Sequence, residues 1–131
     1  MAEALARHWL ENEPLGNIGE VFVASAGVSA ADGIPPTHES LVALKDRGIN
    51  HDGLSKTLTA EMVQNADLVF CMTAGHVAAT WIITGEDSVD KIMRLDPNAD
   101  VEDPIGSDQS AYDALADQFM KLIPRRLKEK L

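Results

Sequence analysis

The residue in this chain best placed to do chemistry is an aspartate set just before a proline. Asp103 is followed by Pro104, Ile105 and Gly106. The proline forces extended backbone on Asp103, and the Pro and Gly around it put it on a loop. A carboxyl held this way can act as a general acid. By spacing alone an ordinary turn aspartate is the simpler reading, and both stay open at this point. A nucleophile is harder to find. The one cysteine, Cys71, lies inside the apolar run Asp67-Leu-Val-Phe-Cys-Met72. A reactive thiolate needs electropositive, partly exposed surroundings, so Cys71 reads as a buried structural residue. Val77 stands where a phosphate-cradling Cys-x5-Arg pattern would need its arginine. His8, His38, His51 and His76 show no metal-ligand spacing and read as surface or capping residues. No Gly-rich phosphate loop is present, and neither a metal nor a cofactor is expected.

Alternating helical and strand patterns must position these groups. Residues 1–12 favour helix, with Leu5 and Trp9 on one face. Asn12 to Gly19 reads as loop, and Val21 to Ala26 as a short strand ended by Gly27. Pro35, Pro36 and Thr37 open a second helix whose inner face carries Leu41 and Leu44, with Gly48 as its left-handed stop. Thr59 has the place of an N-cap, and Leu58 and Val63 can staple a short helix ending near Asn65. Asp67 to Met72 reads as a parallel strand buried on both faces. Thr73 to Thr84 reads as a helix carrying Val77, Trp81 and Ile82, and Lys91 to Leu95 as a weaker strand. Asp96 to Ser107, with two Asp-Pro pairs, is loop. A long last helix covers about Asp108 to Lys130, its stripe Ala111, Leu115, Phe119 and Leu122.

Three strands and about five helices in this order make an α/β domain with helices on the faces of a parallel sheet, flavodoxin-like in kind. In such sheets ligands sit beyond the carboxyl ends of the strands. That places Ser25, Thr73 and the Asp103 loop as the candidate site residues. The length of 131 residues suits a single domain over 1–131, and 45% apolar with 24% charged residues is a globular composition. The net charge is −10, and the only basic cluster, Arg125, Arg126, Lys128 and Lys130, ends a helix, where cations complement the helix dipole. No basic face is available for nucleic acid. No apolar run approaches the ~20 residues that cross a bilayer, and the N-terminus has no signal-peptide pattern. A cytoplasmic protein without membrane or nucleic-acid partners is expected.

Taken together, the segments resemble the low-molecular-weight protein phosphatase family of protein-tyrosine and protein-arginine phosphatases. The stretches that carry the likeness are collinear: Met1-Ala-Glu-Ala-Leu5, Ser25-Ala-Gly-Val28, Gly48-Ile-Asn50, Ser55-Lys56 with Leu58-Thr59, Asn65-Ala-Asp-Leu-Val-Phe-Cys-Met-Thr73, and Asp103-Pro-Ile-Gly106 with Tyr112. The resemblance implies a three-layer, flavodoxin-like parallel sheet of order 2-1-3-4. It implies hydrolysis of a phosphorylated protein substrate in two steps, with no cofactor. A cysteine thiolate in a Cys-x5-Arg loop attacks phosphorus, and loop amides with the arginine hold the charge. The Asp-Pro aspartate, here Asp103, protonates the leaving group and then activates water. Ser25 and Thr73 fall at the rim of the substrate site, and Ile105 on its wall.

The family's first strand and nucleophile loop precede the Met-Ala-Glu-Ala stretch, so the resemblance implies a domain lacking both, N-terminally truncated at Met1. Two expectations follow: a phosphatase whose nucleophile loop is missing from this chain, inactive as it stands, or a non-catalytic relic that serves as a binding or structural module. Leu54 stands where the family often has a histidine before Ser55-Lys56. Ile105 replaces the aromatic that follows Asp-Pro in many tyrosine-specific members, while Gly106 matches the arginine branch. Phosphotyrosine and phosphoarginine both stay open, with a lean to phosphoarginine or a small substrate. Thiol-coupled arsenate reduction on the same fold needs further cysteines and is excluded.

Overall fold

Helix caps and glycine stops divide the chain where the sequence places them. The computed structural model describes residues 1–12, 21–28, 32–51 and 53–131, with the side chains of 86–88 left aside. The loop expected from Asn12 to Gly19 falls, past Asn12, outside the described residues. The chain forms two compact units, one of residues 1–25, 34–54 and 104–131, the other of residues 26–33 and 55–103.

The first unit is helical. It contains α1 (Ala2–Asn12), α2 (His38–Lys45) and the long last helix, Gln109–Lys130. Thr37 caps α2, its hydroxyl oxygen accepting from the Ser40 amide, and Gly48 at φ +76° ends the turn that follows. That positive φ is where glycine is free and other residues are strained. The amides of Gly48 and Ile49 close the stop onto the carbonyls of Lys45 and Leu44. Asp108 caps the last helix through the Ala111 amide. Ala43 and Ala116 are fully buried and pack with Tyr112, with Met1 against them. Two alanines at this contact let the helices approach closely. Arg47 then ties the pair from the side: its guanidinium donates to Asp117 Oδ1 at 2.8 Å and to the Ala43 and Asp113 carbonyls.

The buried face of the last helix is Tyr112, Ala116, Phe119, Leu122, Ile123 and Leu127, one step round from the expected stripe; Ala111 and Leu115 are only half-buried. The close contact with Ala43 favours the small Ala116 over the larger Leu115. Lys128 Nζ lies 5.7 Å from the ring centre of Trp9, a cation–π contact between the last helix and α1.

The second unit holds the sheet. It contains α3 (Ala60–Asn65), β1 (Val69–Cys71), α4 (Ala74–Thr84), a 3-10 turn (Glu86–Lys91) and β2 (Ile92–Arg94). With these named, the last helix becomes α5. β1 and β2 pair in parallel, Val69 with Ile92, Phe70 with Met93 and Cys71 with Arg94. The α/β class and parallel sheet are as the sequence implies, with α4 as the crossover that parallel strands need. Thr59 caps α3 through the Met62 amide, and Leu58 packs on the cluster Val63, Cys71, Val77 and Ile92. Gly85, at φ +82°, ends α4.

Three further expectations change. Val21 to Ala26 forms no strand; the pairing in that part of the chain is a single parallel bridge from Gly27, the residue expected to end the strand, to Thr57. A strand needs a ladder, and here the Val23 carbonyl is taken by the Arg7 guanidinium at 2.7 Å. β1 is not buried on both faces, since Val69 and Phe70 are half-buried and only Cys71 is buried. On α4 the inner face is Val77 and Thr80, while Trp81 is 41% and Ile82 85% exposed. Thr80 is held inside because its hydroxyl donates to the His76 carbonyl at 2.7 Å.

Candidate active site

Asp103 is the last residue of the second unit and is exposed. The loop that leads to it leaves β2 and is bonded at several points. The Leu95 amide donates to the Cys71 carbonyl at 2.8 Å, and the Val101 amide to the Met72 carbonyl at 2.8 Å. Both bonds lie at the carboxyl end of β1. Between them Asp96 closes a turn by accepting from the Asn98 amide. Asp100 Oδ1 accepts from the Ala74 amide at 2.9 Å and from Arg94 Nη1 at 3.2 Å, and Arg94 Nη2 donates to the Pro97 carbonyl. The Ala74 amide, then Arg94 and the His76 charge, hold the Asp100 carboxyl below its ordinary value against a small opposing effect of burial. Val101 itself is buried, 4% exposed.

Thr73 lies on this same end of β1. Its side-chain oxygen accepts from the His76 amide at 3.1 Å, which makes it the N-cap of α4. Asp100 takes the first free amide of that helix and Thr73 the third, so the loop and the cap share one helix N-terminus. The loop carrying Asp103 is thus bonded to Met72 and Ala74, the two residues that flank Thr73.

Ser25 and Ile105 belong to the first unit. The Ser25 hydroxyl donates to Glu3 Oε1 at 2.9 Å, so its one proton is committed and it can only accept from a ligand. Burial pushes the Glu3 carboxyl up, but the Ser25 hydrogen bond and the Arg7 and His51 charges outweigh it and hold the group below its ordinary value. Ile105 is 69% exposed. It sits at the second position of a turn closed by the Ser107 amide on the Pro104 carbonyl, with Gly106 at φ +83° in the third. A positive φ at that place is the signature of a type II turn and explains the glycine.

Cys71 has no nucleophile's surroundings. It is buried, with Sγ 3.7 Å from Thr80 Oγ1, and burial pushes its thiol up while that contact opposes the shift. Among the described residues no group of three or more His, Cys, Asp or Glu could hold a metal ion. No helix among them is long and apolar enough to cross a membrane. The first unit also has a shallow hollow of about 340 Å³ lined by Leu41, Lys45, Ile49, Asn50 and His51. Sequence reasoning did not single out Arg94 and Asp100. Their meeting depends on β2 and the following loop coming back to the start of α4, and no local pattern announces that.

Comparison with known proteins gives the family. The family described as "Low molecular weight phosphotyrosine protein phosphatase" matches residues 1–130. Protein-arginine-phosphatase of Bacillus subtilis (strain 168) is 32% identical, the match covering 98% of this chain and 86% of that protein. Its namesake in Geobacillus stearothermophilus is 35% identical over 100% of this chain and 86% of its own. Among solved structures, an arginine phosphatase mutant with a phosphorylated active-site serine superposes with a TM-score of 0.89 at 32% identity, covering 98% of this chain and 84% of that one. A low molecular weight protein tyrosine phosphatase from T. tengcongensis also reaches 0.89, at 28% identity, over 98% of this chain and 88% of that one. The chain belongs to the low molecular weight phosphotyrosine protein phosphatase family.

Proposed function

We propose that this chain provides the proton-transfer side of a cysteine-dependent protein phosphatase, with Asp103 as its general acid and phosphoarginine as its substrate group. The observation that carries this reading is the Asp103-Pro104 loop, bonded through the Val101 amide to the carboxyl end of β1, in a chain of this family. In the first step a cysteine thiolate forms a bond to phosphorus as the bond to the leaving nitrogen or oxygen breaks, and the Asp103 carboxyl supplies the proton that the leaving group takes. In the second, water attacks phosphorus, the sulfur–phosphorus bond breaks and returns the thiolate, and the Asp103 carboxylate accepts the water's proton. The nucleophile this reading requires is the cysteine thiolate of a Cys-x5-Arg loop, whereas within these 131 residues the one cysteine is buried Cys71, with Val77 in the arginine's place. The arginine preference is supported by the names of the two curated relatives and by Ile105-Gly106, which offers no aromatic ring to clamp a phenol. The protein is read as acting on phosphorylated protein in the cytoplasm.

The deciding experiment reads the nucleotide sequence just upstream of the Met1 codon and assays both forms. An in-frame strand followed by Cys-x5-Arg supports the enzyme, and the extended chain then hydrolyses phosphoarginine while the 131-residue chain does not turn over an aryl phosphate. In that extended chain Asp103→Asn lowers the rate by about 10² to 10⁴, less for leaving groups that need no proton. A stop codon or unrelated sequence upstream overturns the reading in favour of a non-catalytic relative, and equal losses for all leaving groups overturn Asp103 as the proton donor and assign it to structure.

A further inference from the structure

The N-terminus of α4 is capped twice. Thr73 satisfies the His76 amide from within the chain segment itself, as an N-cap does. Asp100 satisfies the Ala74 amide from a loop 26 residues further on. The second bond comes from outside the helix's own segment, so it ties the loop to the helix as well as satisfying a free amide. Arg94 braces the same loop at two places, holding Asp100 Oδ1 at 3.2 Å and the Pro97 carbonyl at 3.1 Å. Its side chain is 31% and that of Asp100 46% exposed, so neither is there to fill a core. The next residue, Val101, is buried and bonded to the Met72 carbonyl.

Asp103 follows two residues later. A chain of two residues spans at most about 7 Å, so a fixed Val101 confines Asp103 to a small sphere at the end of β1. A general acid must stand within hydrogen-bond reach of the atom it protonates, about 2.6–3.2 Å, and the loop's fixing decides whether it does.

We propose that Asp100 is a positioning residue for the Asp103 loop, its carboxylate bridging the α4 N-terminus and Arg94 so that Val101 stays docked and Asp103 is held in place. The value of that placement to catalysis rests on the reading of Asp103 as the acid; the docking itself does not. Among the described residues, the charges that act on the Asp100 carboxyl are those of Arg94 and His76.

The test uses the 131-residue chain, isotope-labelled, with amide exchange and backbone relaxation measured by NMR for the wild type, Asp100→Ala, Asp100→Asn, Thr73→Ala and Asp103→Asn. Asp100→Ala is expected to lower exchange protection at Val101 at least tenfold, with β1 and β2 amides within twofold of wild type. The order parameter of the Asp103 amide then falls from about 0.85 toward 0.6 or below. Asp100→Asn keeps an oxygen for the Ala74 amide and restores part of the protection. In the wild type, protection at Val101 drops as acid protonates Asp100, with a midpoint below 3.8, and Asp100→Asn removes that step. Thr73→Ala lowers protection at His76 and leaves Val101 within twofold. Asp103→Asn changes neither.

Val101 protection unchanged in Asp100→Ala, a rigid Asp103 in that variant, or parallel losses at His76 and Val101 in both Asp100→Ala and Thr73→Ala overturn the proposal, the last by making Asp100 a mere helix cap. An upstream sequence without a nucleophile loop, beside a loosened Asp103 in Asp100→Ala, overturns the phosphatase reading and leaves the positioning intact.

Discussion

Residues 21–25 and the loop 96–103 both carry residues that the sequence marks for function, and they are held in opposite ways. The first is held by side chains: Arg7 donates to the Val23 carbonyl, Ser25 donates to Glu3, and Glu3 and Arg7 pair with each other at 3.2 Å. Its large apolar residue, Phe22, is 86% exposed. The second is held by backbone: amides of Leu95 and Val101 bond to the last carbonyls of β1, and a carboxylate and a guanidinium lock the turn between them. Long exposed side chains lose rotamer entropy when they bridge, and their ion pairs are worth little in water. Backbone bonds at the end of a strand inherit the strand's order. The group read as the proton donor stands on the better-held segment, which is what general acid chemistry asks of a loop.

The comparison can be broken from below by removing what each segment rests on. Phe119, 3% exposed, lies in α5, on which α1 packs. Phe119→Ala is expected to cost about 3–5 kcal/mol by urea titration. Exchange at 21–25 then collapses with the global transition, and retention of order there after such a loss contradicts support by α1. Ile92, 4% exposed, lies in the core cluster with Val63, Cys71 and Val77, and it pairs with Val69 of β1. Ile92→Ala is expected to cost about 2–5 kcal/mol and to lower protection at Val101 along with β1. Loss at β1 without loss at Val101 breaks the claim that the loop takes its order from the strand.

Thr73→Ala sharpens the comparison on a smaller scale. Removing the N-cap oxygen costs about 1 kcal/mol, and Thr73→Asn restores most of it. A full loss in both variants assigns the hydroxyl to something other than the cap. Glu3→Gln is expected to cost about 1 kcal/mol or less, since Arg7 is exposed while Glu3 is partly buried and keeps an oxygen for Ser25. Because the folded Glu3 carboxyl titrates below its ordinary 4.5, its contribution is complete above that pH and is lost as pH falls through the folded value. Urea stability measured from pH 7 down to pH 3 therefore falls less steeply in Glu3→Gln than in the wild type. Identical slopes remove Glu3 from the fixing of residues 21–25.

What the sequence made legible was local. Thr59 as a cap, Gly48 as a stop and the Leu58 staple each need only a few residues of context, and each stands where it was expected. Asp103 and Thr73 stood out because strand ends and Asp-Pro turns have short signatures. Interactions between distant parts were not legible. Whether Val21 to Ala26 becomes a strand depends on what lies beside it, and Arg7 answers for the Val23 carbonyl instead. The face of α5 turned inward depends on Ala43 of another helix choosing Ala116. Arg94 and Asp100 meet only because β2 returns the chain to the start of α4, so their pairing was invisible beforehand.

The burial of Cys71 has a practical consequence. The sequence holds a single thiol, at the end of β1, shut away beside Thr80 with its ionisation suppressed by burial. A thiol-modifying reagent reaches it only when the second unit opens. Where reclosing is faster than modification, the labelling rate divided by that of an unprotected thiol is the equilibrium constant for that opening. The chain thus carries a built-in reporter of the very strand that anchors the Asp103 loop. Its opening can be followed on the purified chain without engineering a label into the sequence.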